Sequence, residues 1–246
     1  MNATTPAMTV RAATHDDIPQ AATLLTEAFL IAPVSQWLVG DIDARVTTFR
    51  SLFTIELEHA IDTGADVYVA GPFTGVAIWY QRDQPESANH ITVHQRRMML
   101  AAGIWQHRVA ALHGILSGHR PDRPHRYLAY LGVTPWLQGR GVGTALLTHQ
   151  HRQLDASGTP AYLEATTPRN RGLYLRHGYV AAEPVQLPDG PPIWPMWRAP
   201  AQGDQLSGRD GDQLSGRDGD QPSGRDGDQP SGRDGDQSRD QRPGPG

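Results

Sequence analysis

Apolar residues recur at steps of three and four in two stretches near the start of the chain, which is the period of an amphipathic helix. Thr14 and Asp17 have the spacing of a capping box, so the first helix is predicted to begin there. The second is predicted to begin at Asp41. The two apolar faces consist of Ala21, Leu24, Leu25, Ala28 and Phe29 and of Val46, Phe49, Phe53, Leu57, Ala60 and Ile61. Further helices are predicted at about residues 93–116, 142–154 and 168–177.

Short runs rich in β-branched and aromatic residues lie between the predicted helices and indicate strands. They comprise residues 8–13, 66–70, 74–80, 128–133, 161–165, 178–180 and 193–198. Only a Gly-Pro-Phe turn separates the second run from the third, so these two are predicted to pair as a hairpin. Pro195 cannot donate to a sheet, which predicts that the last run lies at an edge. Residues 1–202 are therefore predicted to form one α/β domain of mixed α+β type.

The pattern changes at Gly203, where an eight-residue repeat of the form GDQLSGRD or GDQPSGRD begins. Residues 203–246 offer almost no large apolar side chains to offset an ordering entropy of roughly 1–2 kcal/mol per residue. This low-complexity tail is therefore predicted to be disordered. Its ten Asp and six Arg give the tail a formal charge of −4 and leave residues 1–202 balanced. A balanced body does not indicate a protein that binds nucleic acid.

The residue types that are missing exclude several kinds of chemistry. The chain has no cysteine, which excludes a disulfide, a thiolate metal site and a cysteine acyl-enzyme. His107, His113 and His119 are six residues apart, so they do not share a helix face and do not predict a metal site. His149 and His151 are predicted to be surface groups of a later helix. No run approaches the ~18 apolar residues that span a bilayer, and no signal segment is evident, so a cytoplasmic protein without a membrane partner is expected.

The most informative stretch is 127–147, where an apolar strand is followed by three alternate glycines and a helix. Gly139, Gly141 and Gly143 leave backbone N–H groups uncovered, and the helix adds unpaired N–H groups and its positive dipole end. This order of elements predicts a site for a phosphate or pyrophosphate, although similar turns also occur in proteins that bind nothing. The loop is not a P-loop, because no Gly-Lys-Ser/Thr follows. Thr144 stands where a dinucleotide fingerprint has its third glycine.

The segment Gln138-Gly139-Arg140-Gly141-Val142-Gly143 resembles the acetyl-CoA loop of the GCN5-related N-acetyltransferase (GNAT) superfamily. Asn170, Tyr174 and the pair Gly178-Tyr179 resemble its second coenzyme motif. Other segments, spread from Val10 to Pro191, are similar to the puromycin N-acetyltransferases and their actinobacterial relatives. The resemblance implies a GNAT fold, with a central mixed, mostly antiparallel twisted sheet of six to seven strands flanked by helices. It also implies acetyl-CoA as co-substrate and no metal.

The resemblance further implies direct transfer of an acetyl group to a primary amine of a small molecule, such as an aminonucleoside antibiotic, in a ternary complex. Glu164 would assist deprotonation of the amine, and Tyr174 would protonate the departing sulfur. The coenzyme would contact Leu131, Gly132, Val133, Gln138, Gly139, Arg140, Gly141, Val142, Gly143, Thr144 and Asn170, and the amides of the first three would hold the thioester. Phe29, Trp37 and Trp79 are candidate walls of the acceptor pocket.

Each of these assignments has a structural alternative. Glu164 can be a solvated carboxylate at a strand end, Tyr174 a buried anchor and Asn170 a helix cap. The apolar segment 29–37 can be core. For the whole chain, two other functions stay open: an enzyme that uses a nicotinamide dinucleotide, and a catalytically idle acetyl-CoA-binding or scaffold protein. Either a monomer or a homodimer is compatible with the sequence.

Overall fold

The computed structural model describes residues 8–83 and 92–201. In these ranges the strands are β1 (Val10–Ala12), β2 (Asp66–Ala70), β3 (Gly75–Arg82), β4 (His125–Val133), β5 (Ala161–Ala165), β6 (Val180–Ala181), β7 (Val185–Gln186) and β8 (Pro192–Arg198). The helices are α1 (Ile18–Phe29), α2 (Pro33–Leu38), α3 (Ile42–Asp62), α4 (Val93–Ala102), α5 (Gln106–His119), α6 (Val142–Ala156) and α7 (Pro168–Arg176). The predicted disordered tail, residues 203–246, lies outside the described residues.

The strands form one open sheet in the order β1-β2-β3-β4-β5-β8-β6, and β7 also pairs with β8. Every pairing is antiparallel except that of β4 with β5. The mixed, mostly antiparallel sheet flanked by helices is thereby confirmed, and so is the hairpin of β2 and β3. The described sheet has eight strands rather than six to seven. Two of them, β6 and β7, have two residues each, too few to show a period in the sequence.

Helices cover both faces of the sheet, and each face has its own apolar core. On one face, α1 and α3 pack against residues such as Val69 and Ile78. On the other face, α6 and α7 pack against residues such as Trp79 and Leu128. Because both faces are covered, β2 and the first half of β3 are buried almost continuously instead of alternating between buried and exposed positions.

The helices begin and end where local chemistry requires it. The Thr14 N–H donates to Asp17 Oδ2 at 2.8 Å, as the predicted capping box requires, and α1 follows directly. The predicted helix at 93–116 is in fact two helices. Gly103 adopts φ of +55°, which interrupts the helix between α4 and α5. The irregular apolar segment before Asp41 contains α2, which has Pro33 in its first turn.

The last strand, β8, lies inside the sheet, so the prediction that it forms an edge is wrong. It pairs with β5 along one side and with the short strands β6 and β7 along the other. Pairing with β7 ends at Ile193, and pairing with β6 begins at Met196. Pro195 therefore falls between the two short ladders, at a position where neither of them requires an N–H donor.

His151 is buried on the inner face of α6, so the prediction that it is a surface group is wrong. Its Nε2 lies 3.0 Å from the hydroxyl oxygen of Tyr179. Burial, assisted by the positive charge of Arg198, lowers the pKa of His151 from 6.5 to about 3. The side chain is therefore neutral at physiological pH. His149 is only partly buried, and its ring lies 4.6 Å from the ring of Tyr68.

Acid is expected to destabilise the fold through His151. Between pH 6.5 and about 3, the unfolded chain binds a proton at this residue that the folded chain excludes, so stability falls as the pH falls through this window. At about 1.4 kcal/mol per pH unit, the loss between pH 7 and pH 4 is on the order of 3 kcal/mol. In urea unfolding at these two pH values, His151→Gln should remove that part of the wild-type loss. The control His149→Gln should show the same loss of stability as wild type. An unchanged loss in His151→Gln would contradict the burial argument.

No helix in the two described ranges is long and apolar enough to cross a membrane. The same ranges contain no group of three or more His, Cys, Asp or Glu side chains that could hold a metal ion. Two of the histidines considered above lie beside carbonyl groups of their own helical segments. His107 Nδ1 lies 3.2 Å from the Ile104 oxygen, and His119 Nδ1 lies 2.8 Å from the Ile115 oxygen.

Candidate active site

Strands β4 and β5 diverge, and the gap between them opens the sheet. They pair only over three residues, from Arg126 opposite Ala161 to Leu128 opposite Leu163. Beyond that point β4 continues to pair with β3 as far as Val133. The backbone of residues 129–133 therefore has no strand partner on its β5 side within the described part of the chain.

A cavity of about 1730 Å³ includes this gap. On one side it is bounded by the glycine loop, the start of α6 and α7. On the other side it is bounded by α1, α3, α4 and α5. Tyr130 and Leu131 of β4 and Glu164 of β5 line it between the two sides. The volume exceeds that of an ordinary single-ligand pocket, so two molecules can meet where the strands part.

The glycine loop lines this cavity. Gly139 and Gly141 have φ of +81° and +89°, a left-handed conformation that favours glycine. Helix α6 begins at Val142, and the Ala145 N–H donates to the Gly141 carbonyl at 2.9 Å. The amides before Ala145 are the first-turn donors that a helix cannot satisfy internally. Together with the positive end of the helix dipole, such amides are suited to bind an anion.

Gln138 fixes the start of the loop. Its Nε2 donates to the Val133 carbonyl at 3.2 Å, and its Oε1 accepts from Arg169 Nη1 at 3.2 Å. The first bond joins the loop to the end of β4, and the second joins it to α7. Arg169 also brings a positive charge to the same side of the cavity as the first-turn amides. The two bonds hold the loop between the strand that precedes it and a helix that follows much later in the chain.

Most of the predicted coenzyme contacts lie together. Eight of the eleven residues line the cavity: Leu131, Val133, Gln138, Gly139, Gly141, Gly143, Thr144 and Asn170. The remaining three do not. Gly132 packs on α1, where an added Cβ atom would lie 2.7 Å from Leu25 Cδ2. Val142 is buried in the core, and the Arg140 side chain is exposed. The contacts predicted for these three residues are made by their backbone amides. The position of the side chain therefore does not test them.

Glu164 reaches the cavity from β5, where the strands part. Its Oε1 is buried and has no hydrogen-bond partner among the described residues. Burial raises the pKa of Glu164, while the charge of Arg120 and the hydroxyls of Tyr127 and Tyr162 partly oppose this rise. The alternative of a solvated strand-end carboxylate does not fit this environment. A buried carboxylate with raised basicity can accept a proton from a neighbouring group.

Tyr174 lines the cavity from α7 and is 6% exposed. Burial raises the pKa of its hydroxyl, so Tyr174 is protonated at neutral pH and can donate a proton. Its ring packs 5.8 Å from that of Tyr179. It therefore anchors α7 and also borders the cavity, and these two roles do not conflict.

Asn170 caps α7. Its Oδ1 accepts from the Thr167 N–H at 2.9 Å, its own N–H donates to Thr167 Oγ1 at 3.1 Å, and its Nδ2 donates to Thr166 Oγ1 at 3.2 Å. This reciprocal pair is a capping box. The side chain thus fixes the start of the helix that carries Tyr174, which accounts for its position without a ligand.

Of the three aromatic residues predicted to form an acceptor pocket, only Phe29 lines the cavity. Trp79 is fully buried on the α6 face of β3, with its ring 6.0 Å from that of His151. Trp37 packs against Gly190, and its Nε1 donates to the Pro188 carbonyl at 2.8 Å. Neither tryptophan lines the cavity: one packs in the core and the other holds a turn.

A polar cluster on the acceptor side was not predicted. Glu56, Tyr80, His94 and Arg120 line the same cavity, although no sequence motif marks them. One signal was available, since Glu56 is three residues after Phe53 and thus interrupts the apolar stripe of α3. The partners of Glu56 lie on other elements far away in sequence, so their meeting could not be read from spacing.

Comparison with known proteins agrees with this geometry. Residues 102–181 match the model of an acetyltransferase (GNAT) domain. An uncharacterized N-acetyltransferase of Schizosaccharomyces pombe is 25% identical over 192 residues, which cover 70% of this chain and 74% of that protein.

Solved structures that are similar to this chain include the following two. A Corynebacterium glutamicum protein, described as histone acetyltransferase HPA2 and related acetyltransferase, has a TM-score of 0.59 and 26% identity, covering 80% of this chain and 99% of its own. The PaiA N-acetyltransferase of Thermoplasma acidophilum, solved with coenzyme A, has a TM-score of 0.51 and 10% identity, covering 78% of this chain and 98% of its own, which shows the fold alone. The architecture, the matched domain and these likenesses support an acyltransferase with the GNAT fold.

Proposed function

We propose that residues 1–202 transfer the acetyl group of acetyl-CoA to a primary amine of a small molecule. The observation that carries the proposal is the single cavity that joins the glycine loop, Glu164 and Tyr174 to a chamber on the opposite face of the sheet. A coenzyme and an acceptor can approach this cavity from different sides and meet between β4 and β5. Direct transfer in a ternary complex needs this arrangement.

The residues on the loop side fit acetyl-CoA. The first-turn amides of α6 and the Arg169 guanidinium match a pyrophosphate, and the unpaired side of β4 offers backbone groups to an extended chain. The relative from Thermoplasma acidophilum was solved with coenzyme A. When bound, acetyl-CoA supplies an activated thioester, and the amides of Leu131 to Val133 are proposed to hold its carbonyl oxygen.

Two side chains are proposed to move the protons. Glu164 accepts a proton from the ammonium form of the acceptor. The neutral amine nitrogen then forms a bond to the acetyl carbon while the carbon–sulfur bond breaks and its electron pair leaves with sulfur. Tyr174 donates its phenolic proton to that sulfur. As the amide forms, its nitrogen loses a second proton, which returns through solvent to the Tyr174 phenolate, and Glu164 releases its own proton to solvent. The products are an N-acetylated amine, a free thiol and one proton, so atoms and charges balance.

The proposed acceptor class includes aminonucleosides such as puromycin. The similarity of many short segments to puromycin N-acetyltransferases supports it, and so does the apolar, partly aromatic chamber beyond Phe29.

A thiol-reactive dye tests this proposal by detecting the coenzyme A released, because a chain without cysteine adds no background signal. Thiol release with puromycin would support both the reaction and the class. Release only with other primary amines would keep the reaction and remove the antibiotic. No release with any amine would contradict the proposal and favour an idle coenzyme-binding protein.

Glu164 should control the acid side of the pH–rate profile. Burial raises its pKa above the ordinary value of 4.5, so kcat/KM should begin to fall at a pH higher than a solvated glutamate would give. Glu164→Gln should lower kcat by about 10²- to 10⁴-fold and remove this part of the profile. The exposed Glu183→Gln is the control and should behave as wild type. An acid limb that persists in Glu164→Gln would assign the titration to another group.

A further inference from the structure

We infer that Glu56, together with Tyr80 and His94, forms an anchoring site for a second hydrogen-bond donor of the acceptor. The acceptor would then be an amine whose apolar body separates the reacting nitrogen from a second donor group, best an ammonium. This inference rests on the proposed acetyl transfer and adds a feature of the acceptor that the transfer chemistry does not require.

Three elements meet at the Glu56 carboxylate. Glu56 projects from α3 and is 6% exposed. The Tyr80 hydroxyl of β3 donates to its Oε1 at 2.8 Å, and His94 Nε2 of α4 lies 3.0 Å from its Oε2. All three residues line the cavity. The His94 ring is stacked on that of His59 at 4.0 Å, and Arg82 lies 5.1 Å from the ring centre of Tyr80.

The carboxylate interrupts an apolar helix face. The same face of α3 contributes Phe49, Phe53 and Leu57 to the core. A buried carboxylate costs stability unless hydrogen bonds compensate it, and an apolar residue at this position would fit the stripe. The contacts with Tyr80 and His94 account for two of the about four hydrogen bonds that a carboxylate can accept.

The cavity that both carboxylates line also has an aromatic surface. It is formed by a cluster of Phe29, Phe53 and Tyr130, whose ring centres are 5.3–6.0 Å apart. All three residues line the cavity. Glu56 and Glu164 both raise the pKa of the Tyr130 hydroxyl, after the larger effect of its burial. Tyr130 and both carboxylates line the same cavity. A molecule lying on this cluster would meet Glu164 with one group and Glu56 with another.

The chemistry of the site defines the ligand that it recognises. An apolar, flat body matches the aromatic cluster, a primary amine matches Glu164, and a second donor matches the Glu56 carboxylate. A charge-assisted hydrogen bond of this kind should lower KM by about tenfold or more.

Two amines with the same aromatic body test the inference. 1,4-Bis(aminomethyl)benzene carries the second amine, and 4-methylbenzylamine lacks it. Wild type should show a KM for the diamine about tenfold lower, beyond the statistical factor from its two equivalent amines. Glu56→Gln should remove this preference and leave the KM for the monoamine and for acetyl-CoA unchanged. The control is Glu58→Gln. Glu58 lies on the same helix and contacts Arg97 of α4, but it does not line the cavity, so this variant should keep the preference for the diamine.

Calorimetric binding of both amines in the presence of coenzyme A separates this inference from the proposed reaction. Turnover of both amines with equal KM, unchanged in Glu56→Gln, would overturn the anchoring site and keep the transfer. Diamine binding that depends on Glu56, without any turnover, would keep the site and contradict the transfer. An equal loss for both amines together with a lower Tm would show that Glu56 is only structural. If Glu56→Gln does not fold, Tyr80→Phe should weaken the preference about threefold, and an unchanged preference would overturn the inference.

Discussion

The Gly141→Glu variant is expected to lose acetyl-CoA affinity by at least about 100-fold. Gly141 precedes the first residue of α6, and its φ of +89° is a conformation that side chains rarely adopt. A glutamate there would place a carboxylate beside the amides proposed to hold the pyrophosphate. The anion would then lose backbone donors worth about 1.5–3 kcal/mol each to a charged group and would meet a like charge. Calorimetric titration with acetyl-CoA measures the loss.

Gly158→Glu is the matched control for this variant. Gly158 lies just beyond the other end of α6, has φ of +65° and, like Gly141, has no atom within 4 Å of an added Cβ. Both variants should therefore have a similar strain cost of about 1–2 kcal/mol. Only the substitution at the loop should change coenzyme affinity. Wild-type affinity in Gly141→Glu would contradict the assignment of the anion site.

The Tyr174→Phe variant is expected to lower turnover by about 10- to 10⁴-fold and to leave acetyl-CoA affinity nearly unchanged. The hydroxyl is the proposed proton donor to sulfur, and the ring, which anchors α7, is retained. Steady-state kinetics with a reactive amine and calorimetry with acetyl-CoA provide the two measurements.

Tyr179→Phe controls for the loss of a buried phenol. Tyr179 packs against Tyr174, but it does not line the cavity, and its hydroxyl oxygen lies 3.0 Å from His151 Nε2. Its removal should lower stability by about 1–3 kcal/mol, because a buried polar partner is lost, and should leave turnover almost unchanged. Equal turnover in wild type and Tyr174→Phe would remove Tyr174 from the proton-donor role.

Local chemistry explains why part of the fold and site was predictable. The strand, glycine loop and helix at 127–147 are adjacent in sequence, and Gly141 does adopt the conformation for which glycine is needed. The capping box of Thr14 and Asp17 and the hairpin of β2 and β3 likewise depend on neighbouring residues. Features of this kind can be read from spacing alone.

Other features depend on contacts between distant segments. Trp79 lies on a strand covered on both faces, so no alternation in the sequence indicates which side it faces. Pro195 is accommodated inside the sheet by two strands of two residues each. His151 could have been recognised, since it shares a helical face with Leu147 and Leu154, which are buried. The pairing of Glu56 with His94 joins α3 and α4 and left no pattern in sequence.

The most direct test of the account is calorimetric titration of the full chain with acetyl-CoA, followed by competition with coenzyme A and with an oxidised nicotinamide dinucleotide. We expect one saturable site that coenzyme A blocks and the dinucleotide does not. Absence of acetyl-CoA binding, or equal competition by the dinucleotide, would contradict the central claim that the glycine loop and the parted strands form an acetyl-CoA site.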